Sequence, residues 1–366
     1  MARIASCAAV RLLVNFFYAH PVGHAVEALH YALGHHAAGP GREVSVALNA
    51  ATAVRLAQFC PFVKEVYAID HPFLEPCGDS AARLAALPRE WDWIYDDGRR
   101  YQDFQLEAFP GMRDYYAASD VRLQALVRRS VAGYGDYVPH TALRFRLPVA
   151  SSLGARIAVM PAGSSERSLY PSAGSWELIL DALTDAFPDA PIALVGKTGS
   201  TSLEPGEHKR LLAHRSRPLD VFDVDLAEQL AVVEAADVFV APHTGFGLAA
   251  LAVGTPWLAL SDGRWFEYFF NHVPFRSVIP SDRYPVFSQF VPAEVVAEED
   301  GPRTPSMTRT RFEEDLDRIV AAAGELLAGS LSYEQALSDY FRDLVAAHDG
   351  ETAGIWSIDG IHAGYV

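Results

Sequence analysis

The chain has 366 residues, of which half are hydrophobic and 21% are charged, and its formal net charge is −16. This length allows two domains of common size, and the composition is that of a folded globular protein, which excludes a disordered chain. A surface so rich in acidic groups repels a phosphate backbone, so we expect no nucleic acid among the partners. A small anionic ligand is not excluded, because a helix N-terminus with one or two basic side chains holds a diphosphate even in an acidic protein.

The apolar segments are too short to cross a membrane. The longest weakly polar run, residues 246–260, has fifteen residues and is interrupted by glycine and proline, so we expect no membrane span. Near the N-terminus, Arg11 interrupts an apolar stretch that has no small-residue cleavage site, which favours a first core strand over a signal peptide. Three cysteines without metal-ligand spacing fit a reducing compartment. We therefore expect a cytoplasmic protein.

The first half of the chain alternates predicted strands and helices. Continuous apolar runs are typical of strands that are covered on both faces, and Gly39-Pro40-Gly41 ends the first predicted helix, which runs through Val26 and Leu33. The predicted strands span residues 11–17, 43–49, 63–70 and 91–97, and further helices are predicted over residues 52–60 and 112–132. Residues 133–148 are predicted to cross to a second domain.

The second half repeats the same alternation. Its predicted strands span residues 155–163, 191–197, 237–242 and 256–262, its helices span residues 175–187, 226–236 and 245–254, and residues 312–348 are helical and amphipathic. Two such halves predict an α/β protein with two doubly wound parallel sheets that face each other, with a ligand at the strand ends. The predicted domains are residues 1–150, residues 151–330, and a C-terminal helix and tail, 331–366, that returns to the first domain.

His243, Thr244 and Gly245 stand where a buried strand gives way to a helix. The junction offers backbone N–H groups, a hydroxyl and an imidazole at the positive end of a helix dipole, and Gly245 and Gly247 let the backbone approach a ligand closely. An anion benefits from all of these together, and a diphosphate is the anion that we predict. The alternative is that Thr244 only caps the helix while the glycines only serve helix–strand packing.

Residues 237–260 resemble the phosphate-binding stretch of the heptosyltransferase-like (GT9-type) glycosyltransferases. That family pairs two facing Rossmann-like domains in the arrangement called GT-B, and its pattern is Asp-Thr-Gly after a strand, followed by a small-residue helix that closes on Gly-x-Pro. Thr244-Gly245 and Gly254-Thr255-Pro256 match at the same spacing, whereas His243 replaces the aspartate. In residues 161–171, Arg167 falls where the family has a phosphate-contacting lysine.

The resemblance implies an inverting glycosyltransferase that moves a sugar from a nucleotide-diphosphate donor to a small-molecule or glycan acceptor. In residues 21–33, Gly23-His24 takes the place of a Gly-Asp whose aspartate is the family's base. His24 is therefore the predicted base, because an imidazole in a first helical turn stays neutral and titrates near working pH. His20 in the same loop is the local alternative. Lys197 and Gly247 complete the predicted donor site, which needs no cofactor.

The acidic pairs carry no convincing metal-ligand pattern. Asp96-Asp97 is typical of a turn after a strand, and Asp223 and Asp225 precede a helix that they are placed to cap. We therefore expect a metal-independent enzyme. The aromatic run at 264–275 favours a packed crossover, with a wall for a sugar or an apolar acceptor as the alternative. Two other functions stay open: a nucleotide-sugar epimerase or hydrolase on the same fold, and a nucleotide-sugar-binding protein without catalysis.

Overall fold

A computed structural model describes most of the chain. The described residues are 9–17, 22–70, 79–96, 111, 115, 122–125, 137–138, 141–199, 203–263, 271–285 and 294–351. The described residues divide into two compact units between Arg146 and Leu147; the N-terminal one is unit 1 below and the C-terminal one is unit 2.

Unit 1 contains a parallel sheet whose described strands are β1 (Val10–Phe16), β2 (Arg42–Asn49), β3 (Val63–Ile69), β4 (Trp93–Asp96) and β5 (Arg122–Ala125). Its described helices are α1 (Val22–Ala37), the short α2 (Ser80–Arg83) and a 3₁₀ helix, Val54–Phe59. The strand order is β3-β2-β1-β4-β5. After β1 the chain adds β2 and β3 on one side of this strand, and it then adds β4 and β5 on the opposite side. The strand order therefore reverses between β1 and β4.

Unit 2 contains a second parallel sheet, with strands β6 (Ile157–Val159), β7 (Ile192–Gly196), β8 (Leu219–Phe222), β9 (Val238–Pro242), β10 (Trp257–Leu260) and β11 (Phe275–Val278). Its described helices are α3 (Ala173–Ala186), α4 (Pro205–Leu212), α5 (Leu226–Ala235), α6 (Gly245–Ala252), α7 (Arg309–Leu327) and α8 (Tyr333–Ala346), with 3₁₀ helices at Arg167–Leu169 and Pro305–Met307. The strand order is β11-β10-β9-β6-β7-β8, so the order reverses between β6 and β9.

The central strands are apolar at every position because helices cover both faces of the sheet. All five residues of β7 and of β9 are buried. Over one face, Trp176 of α3 packs in the same fully buried cluster as Phe312 and Ile319 of α7. Burying side chains of this size stabilises a fold by about 1.5–3 kcal/mol each. The α/β class with two doubly wound sheets, predicted from the sequence, is confirmed.

Two predicted helices of unit 1 differ from the structure. Residues 52–60 form the 3₁₀ helix Val54–Phe59, which ends before Pro61, a residue that disfavours helical backbone in its neighbour. Within residues 112–132, Arg122–Ala125 is the strand β5, which pairs with β4 in parallel. Pairing along a sheet edge overrides the local helix propensity of such a short segment. The rest of that predicted helix, except residue 115, lies outside the described residues.

The helix α8 differs from the expectation for residues 331–366, of which the structure describes residues 331–351. We expected this segment to return to the first domain, but α8 packs on β11 of unit 2. The Arg276 guanidinium on β11 donates to Asp339 of α8 at 2.8 Å, and the rings of Phe275 and Tyr340 lie 5.6 Å apart. The apolar stripe of α8 is therefore buried on the edge of its own sheet. The rest of the predicted segment, residues 352–366, lies outside the described residues.

Among the described residues, no helix is both long and apolar enough to pass through a bilayer.

Candidate functional site

The strand register of unit 2 brings three loops into one row at the carboxyl ends of β6, β9 and β10. Leu260 pairs with Pro242, and Val159 pairs with Val240. Gly163, Thr244 and Asp262 follow the ends of these three adjacent strands within two to four residues. The row lies where the strand order reverses, which is where open α/β sheets bind ligands.

Gly163 lies in close contact with two side chains of this site. A Cβ atom placed on Gly163 would lie 2.7 Å from the Tyr170 hydroxyl and 3.1 Å from Cγ2 of Thr244. The Tyr170 hydroxyl also accepts a 2.9 Å hydrogen bond from the backbone N–H of Ser165, which folds the loop after β6 toward Thr244. Burial raises the pKa of Tyr170, so this hydroxyl keeps its proton at neutral pH.

Thr244 is the N-cap of α6. Its extended backbone (φ −138°, ψ 152°) turns the chain into the helix, and its Oγ1 accepts the N–H of Gly247 at 3.3 Å. The first turn of a helix leaves four N–H groups without intrahelical acceptors and carries a partial positive charge. The capping role that we set against ligand binding is therefore real, and the first turn of α6 still offers the polarity of an anion site.

Gly247 has a packing role. A Cβ atom on it would lie 2.3 to 2.5 Å from ring atoms of Trp257 on β10. Trp257 is fully buried, so its indole cannot move aside. The sequence prediction placed Gly247 in the donor site, and the structure gives it the helix–strand packing that we weighed as the alternative.

We expect Gly247→Ala to lower the free energy of unfolding by about 1–3 kcal/mol, the usual effect of overpacking a rigid core. Urea denaturation followed by circular dichroism measures the change. Gly206→Ala is the matched control, because a Cβ atom on Gly206 of α4 meets nothing within 4 Å. The packing role would be wrong if both variants unfolded at the same urea concentration as the wild type.

Arg167 lies after β6 on the side of β7 and β8. Its guanidinium forms ion pairs with Glu204 and Glu207 and donates to the carbonyl of Asp300 at 2.9 Å. Glu204 and Glu207 form the capping box of α4, a helix that we did not predict. Burial raises the pKa of Glu207. The predicted phosphate contact is therefore engaged by two carboxylates, which a diphosphate would have to compete with.

The remaining polar residues near the ends of β7 and β8 are either exposed or hydrogen-bonded to nearby groups. Lys197 is exposed just after β7. The carboxylate of Asp223 accepts hydrogen bonds from the N–H of Thr198 at 3.0 Å and from its hydroxyl at 2.8 Å. Asp225 caps α5 by accepting from the N–H of Ala227 at 3.0 Å, as predicted. Within the described residues, no three His, Cys, Asp or Glu side chains are placed to hold a metal ion.

In unit 1, His24 lies in the first turn of α1, directly after β1 and thus beside the reversal between β1 and β4. The side chain of His24 is half-buried. The other histidines of α1 have structural contacts within unit 1. His30 bonds to the carbonyl of Thr141 through Nε2, and His36 stacks on Phe62 at 5.8 Å. His35 is buried and its ring lies 5.0 Å from that of Tyr137. His20, the alternative base, lies outside the described residues.

Sequence reasoning missed Asp262, a buried carboxylate at the end of β10, and Glu27, a buried carboxylate one turn after His24 on α1. Ser261-Asp262-Gly263 directly follows a predicted strand, and that position was the available signal. The importance of Asp262 depends on the strand order, which sets β10 next to β9. Glu27 carried no signal, because it occupies one position in an otherwise ordinary helical pattern.

Comparison with solved structures supports this architecture. A family 9 glycosyl transferase from Veillonella parvula is similar with a TM-score of 0.58 and 12% identity, over 88% of this chain and 98% of the other. The E. coli ADP-heptose LPS heptosyltransferase II has a TM-score of 0.53 and 13% identity over 87% and 99%. E. coli heptosyltransferase WaaC, solved with ADP-2-deoxy-2-fluoro heptose, has a TM-score of 0.52 and 14% identity over 84% and 99%.

No protein-family model matches the chain, and no curated protein matches it by sequence. The solved structures establish the fold: the chain has a GT-B fold with two Rossmann-like units. The resemblance carried by residues 237–260 is confirmed at this level.

Proposed function

We propose that this protein is a metal-independent, inverting glycosyltransferase whose unit 2 binds a nucleotide-diphosphate sugar. The observation that carries the proposal is the Thr244-capped N-terminus of α6, which adjoins Gly163 where the strand order of unit 2 reverses. This arrangement combines helix polarity, a hydroxyl and a close backbone approach at one point, and a diphosphate uses all three. His243 and Gly245 flank the cap on either side.

In the proposed reaction, the acceptor's hydroxyl oxygen attacks the anomeric carbon and the nucleoside diphosphate leaves from the opposite face. The bond to the leaving phosphate oxygen breaks as the new glycosidic bond forms, which inverts the configuration. His24 of unit 1 takes the proton of the attacking hydroxyl. The first turn of α6 and Arg167 stabilise the negative charge that develops on the diphosphate.

The first test of the proposal is binding of the donor. A thermal-shift screen with ADP, GDP, UDP and dTDP and their hexose conjugates should find at least one stabilising ligand, because a ligand that binds only the folded state raises the melting temperature. Product analysis then separates the functions. Acceptor-dependent release of the nucleoside diphosphate identifies a transferase, whereas conversion of the sugar without an acceptor identifies an epimerase or a hydrolase. Binding without any turnover identifies a binding protein.

Arg167→Ala should weaken binding of the preferred nucleotide by about 1.5–3 kcal/mol, the range for a hydrogen bond to a charged group. Isothermal titration calorimetry measures the dissociation constant. Glu204→Gln is the control, because it removes one of the carboxylates that compete with the diphosphate for Arg167, and it should leave binding unchanged or tighten it. If Arg167 only ties α4 to the loop after β6, Arg167→Ala will lower the melting temperature and leave the dissociation constant unchanged.

Metal independence has its own test. The proposal assigns charge stabilisation to protein groups, so the rate of transfer should persist after dialysis against excess EDTA. The measurement is the initial rate before and after chelation, followed by additions of Mg²⁺, Mn²⁺ and Fe²⁺. Complete loss of activity that one of these ions restores would show that a cation, rather than Arg167 and α6, stabilises the leaving diphosphate.

A further inference from the structure

We propose that Asp262 selects the sugar of the donor by accepting hydrogen bonds from hydroxyl groups of the transferred glycosyl unit. This inference rests on the proposed function of unit 2. It concerns a carboxylate at the end of β10 that the sequence did not single out.

The position of Asp262 follows from the sheet. The register between β9 and β10 pairs Leu260 with Pro242, so Asp262 and Thr244 each lie two residues past the ends of neighbouring strands. Arg167 lies on the other side of Thr244, toward β7 and β8, because its ion pairs are with Glu204 and Glu207. Arg167, Thr244 and Asp262 therefore follow one another in a single direction across the strand ends. If Arg167 and Thr244 bind the diphosphate, the sugar, which is bonded to the terminal phosphate, lies next to Asp262.

The backbone around Asp262 is fixed from three directions. Arg311 of α7 donates to the carbonyl of Ser261 at 3.3 Å, and the hydroxyl of Ser306 donates to the carbonyl of Asp262 at 3.1 Å. The Ser261 hydroxyl donates in turn to the carbonyl of Gly263 at 2.9 Å. Asp262 is only 8% exposed, so its carboxylate belongs to a rigid and largely enclosed position. Rigid positions of this kind give specificity, because the ligand must fit them.

The chemistry of a carboxylate decides which part of the donor it can meet. An ionised carboxylate only accepts hydrogen bonds, and it repels phosphate oxygens. Hydroxyl or amino groups of a ligand can donate to it, whereas phosphate oxygens cannot. The hydroxyls of a pyranose, presented in neighbouring pairs, match the two oxygens of one carboxylate. Burial raises the pKa of Tyr170 and the negative charge of Asp262 raises it further; the same charge acts on the buried Arg311, whose pKa burial lowers.

The test compares two ligands on one variant. Isothermal titration calorimetry is run on the wild type and on Asp262→Asn with the preferred nucleoside diphosphate and with its sugar conjugate. We expect Asp262→Asn to bind the nucleoside diphosphate within twofold of the wild type and to bind the sugar conjugate about 10-fold to 100-fold more weakly, the effect of losing a charged acceptor. Glu228→Gln, on the exposed face of α5, removes the same charge elsewhere in unit 2 and should change neither constant.

The outcomes of these titrations distinguish a failure of this inference from a failure of the proposed function. Equal weakening of both ligands, or no change for either, overturns the role of Asp262 while the donor site stands. A wild type that binds no nucleotide of the panel overturns the proposed function and the inference together. If Asp262→Asn does not fold, Asp262→Ser offers a second small polar side chain for the same two titrations.

Discussion

Replacing His24 by alanine should lower kcat by about 10²–10⁴-fold, the usual contribution of a general base. The proposed reaction needs a group that removes the acceptor's proton as the glycosidic bond forms, and His24 lies in the first turn of α1 beside the strand reversal of unit 1. The proposed contacts of the donor lie in unit 2. The dissociation constant of the nucleotide should therefore stay near the wild-type value while turnover falls.

Two measurements test this role. Steady-state kinetics gives kcat, and the pH–rate profile of the wild type should have an ascending limb in the range where histidine side chains titrate, about pH 6 to 7. His36→Ala is the matched control, because His36 is an exposed histidine of the same helix that stacks on Phe62. If His24→Ala retains activity and His20→Ala loses it, His20 is the base. If neither matters, the base is to be sought among acids such as Asp96 or Asp97.

Replacing Arg311 by alanine should lower the free energy of unfolding by about 3–5 kcal/mol, the effect of breaking a buried ion pair from one side. Arg311 is fully buried, and burial lowers its pKa to about 10. Its Nε lies 2.8 Å from a carboxylate oxygen of Asp315, and it donates to the carbonyls of Ser261 and Val278. Alanine would leave these carbonyls without their donor and would open a cavity beneath β10 and β11.

Arg318→Ala is the control for Arg311→Ala. Arg318 also pairs with Asp315, at 2.7 Å, but its side chain is half exposed, so its loss should cost no more than about 1 kcal/mol. Urea denaturation of the wild type and both variants measures the two effects. Equal losses of stability in the two variants would mean that the burial of Arg311 contributes nothing beyond a surface ion pair.

The alternation of elements could be predicted because it depends on local pattern. β9 and β7 are unbroken apolar runs, and α5 and α6 begin at residues that cap helices, so their type and approximate bounds follow from neighbouring residues alone. α4 was missed because it is short and polar, although its capping box, Glu204 and Glu207, is a recognisable start signal. The helix predicted over β5 was wrong because the pairing of β5 with β4 lies outside the local sequence.

The candidate site could be predicted only in part, for the same reason. Thr244 was found because a single junction of strand and helix defines its chemistry. The neighbours of Thr244 depend on the strand order, which sets β6 and β10 on either side of β9, and no local pattern records that order. The carboxylate partners of Arg167 likewise come from the start of α4, about forty residues away. Contacts between segments that are distant in the sequence thus determine the surroundings of Thr244 and Arg167, and local sequence patterns do not reveal such contacts.

The packing of Trp257 and Trp176 gives this chain an intrinsic optical probe of its own candidate site. Trp257 lies against Gly247 in the first turn of α6, and its ring is 6.0 Å from that of His243. Trp176 donates from Nε1 to the carbonyl of Pro161, in the loop after β6, at 2.9 Å. Both indoles are fully buried, so quenching by water does not mask small changes around them. An anion bound at the proposed site would alter the electric field at both rings, so we expect tryptophan emission to report its binding on top of the signal from the other four of the chain's six tryptophans.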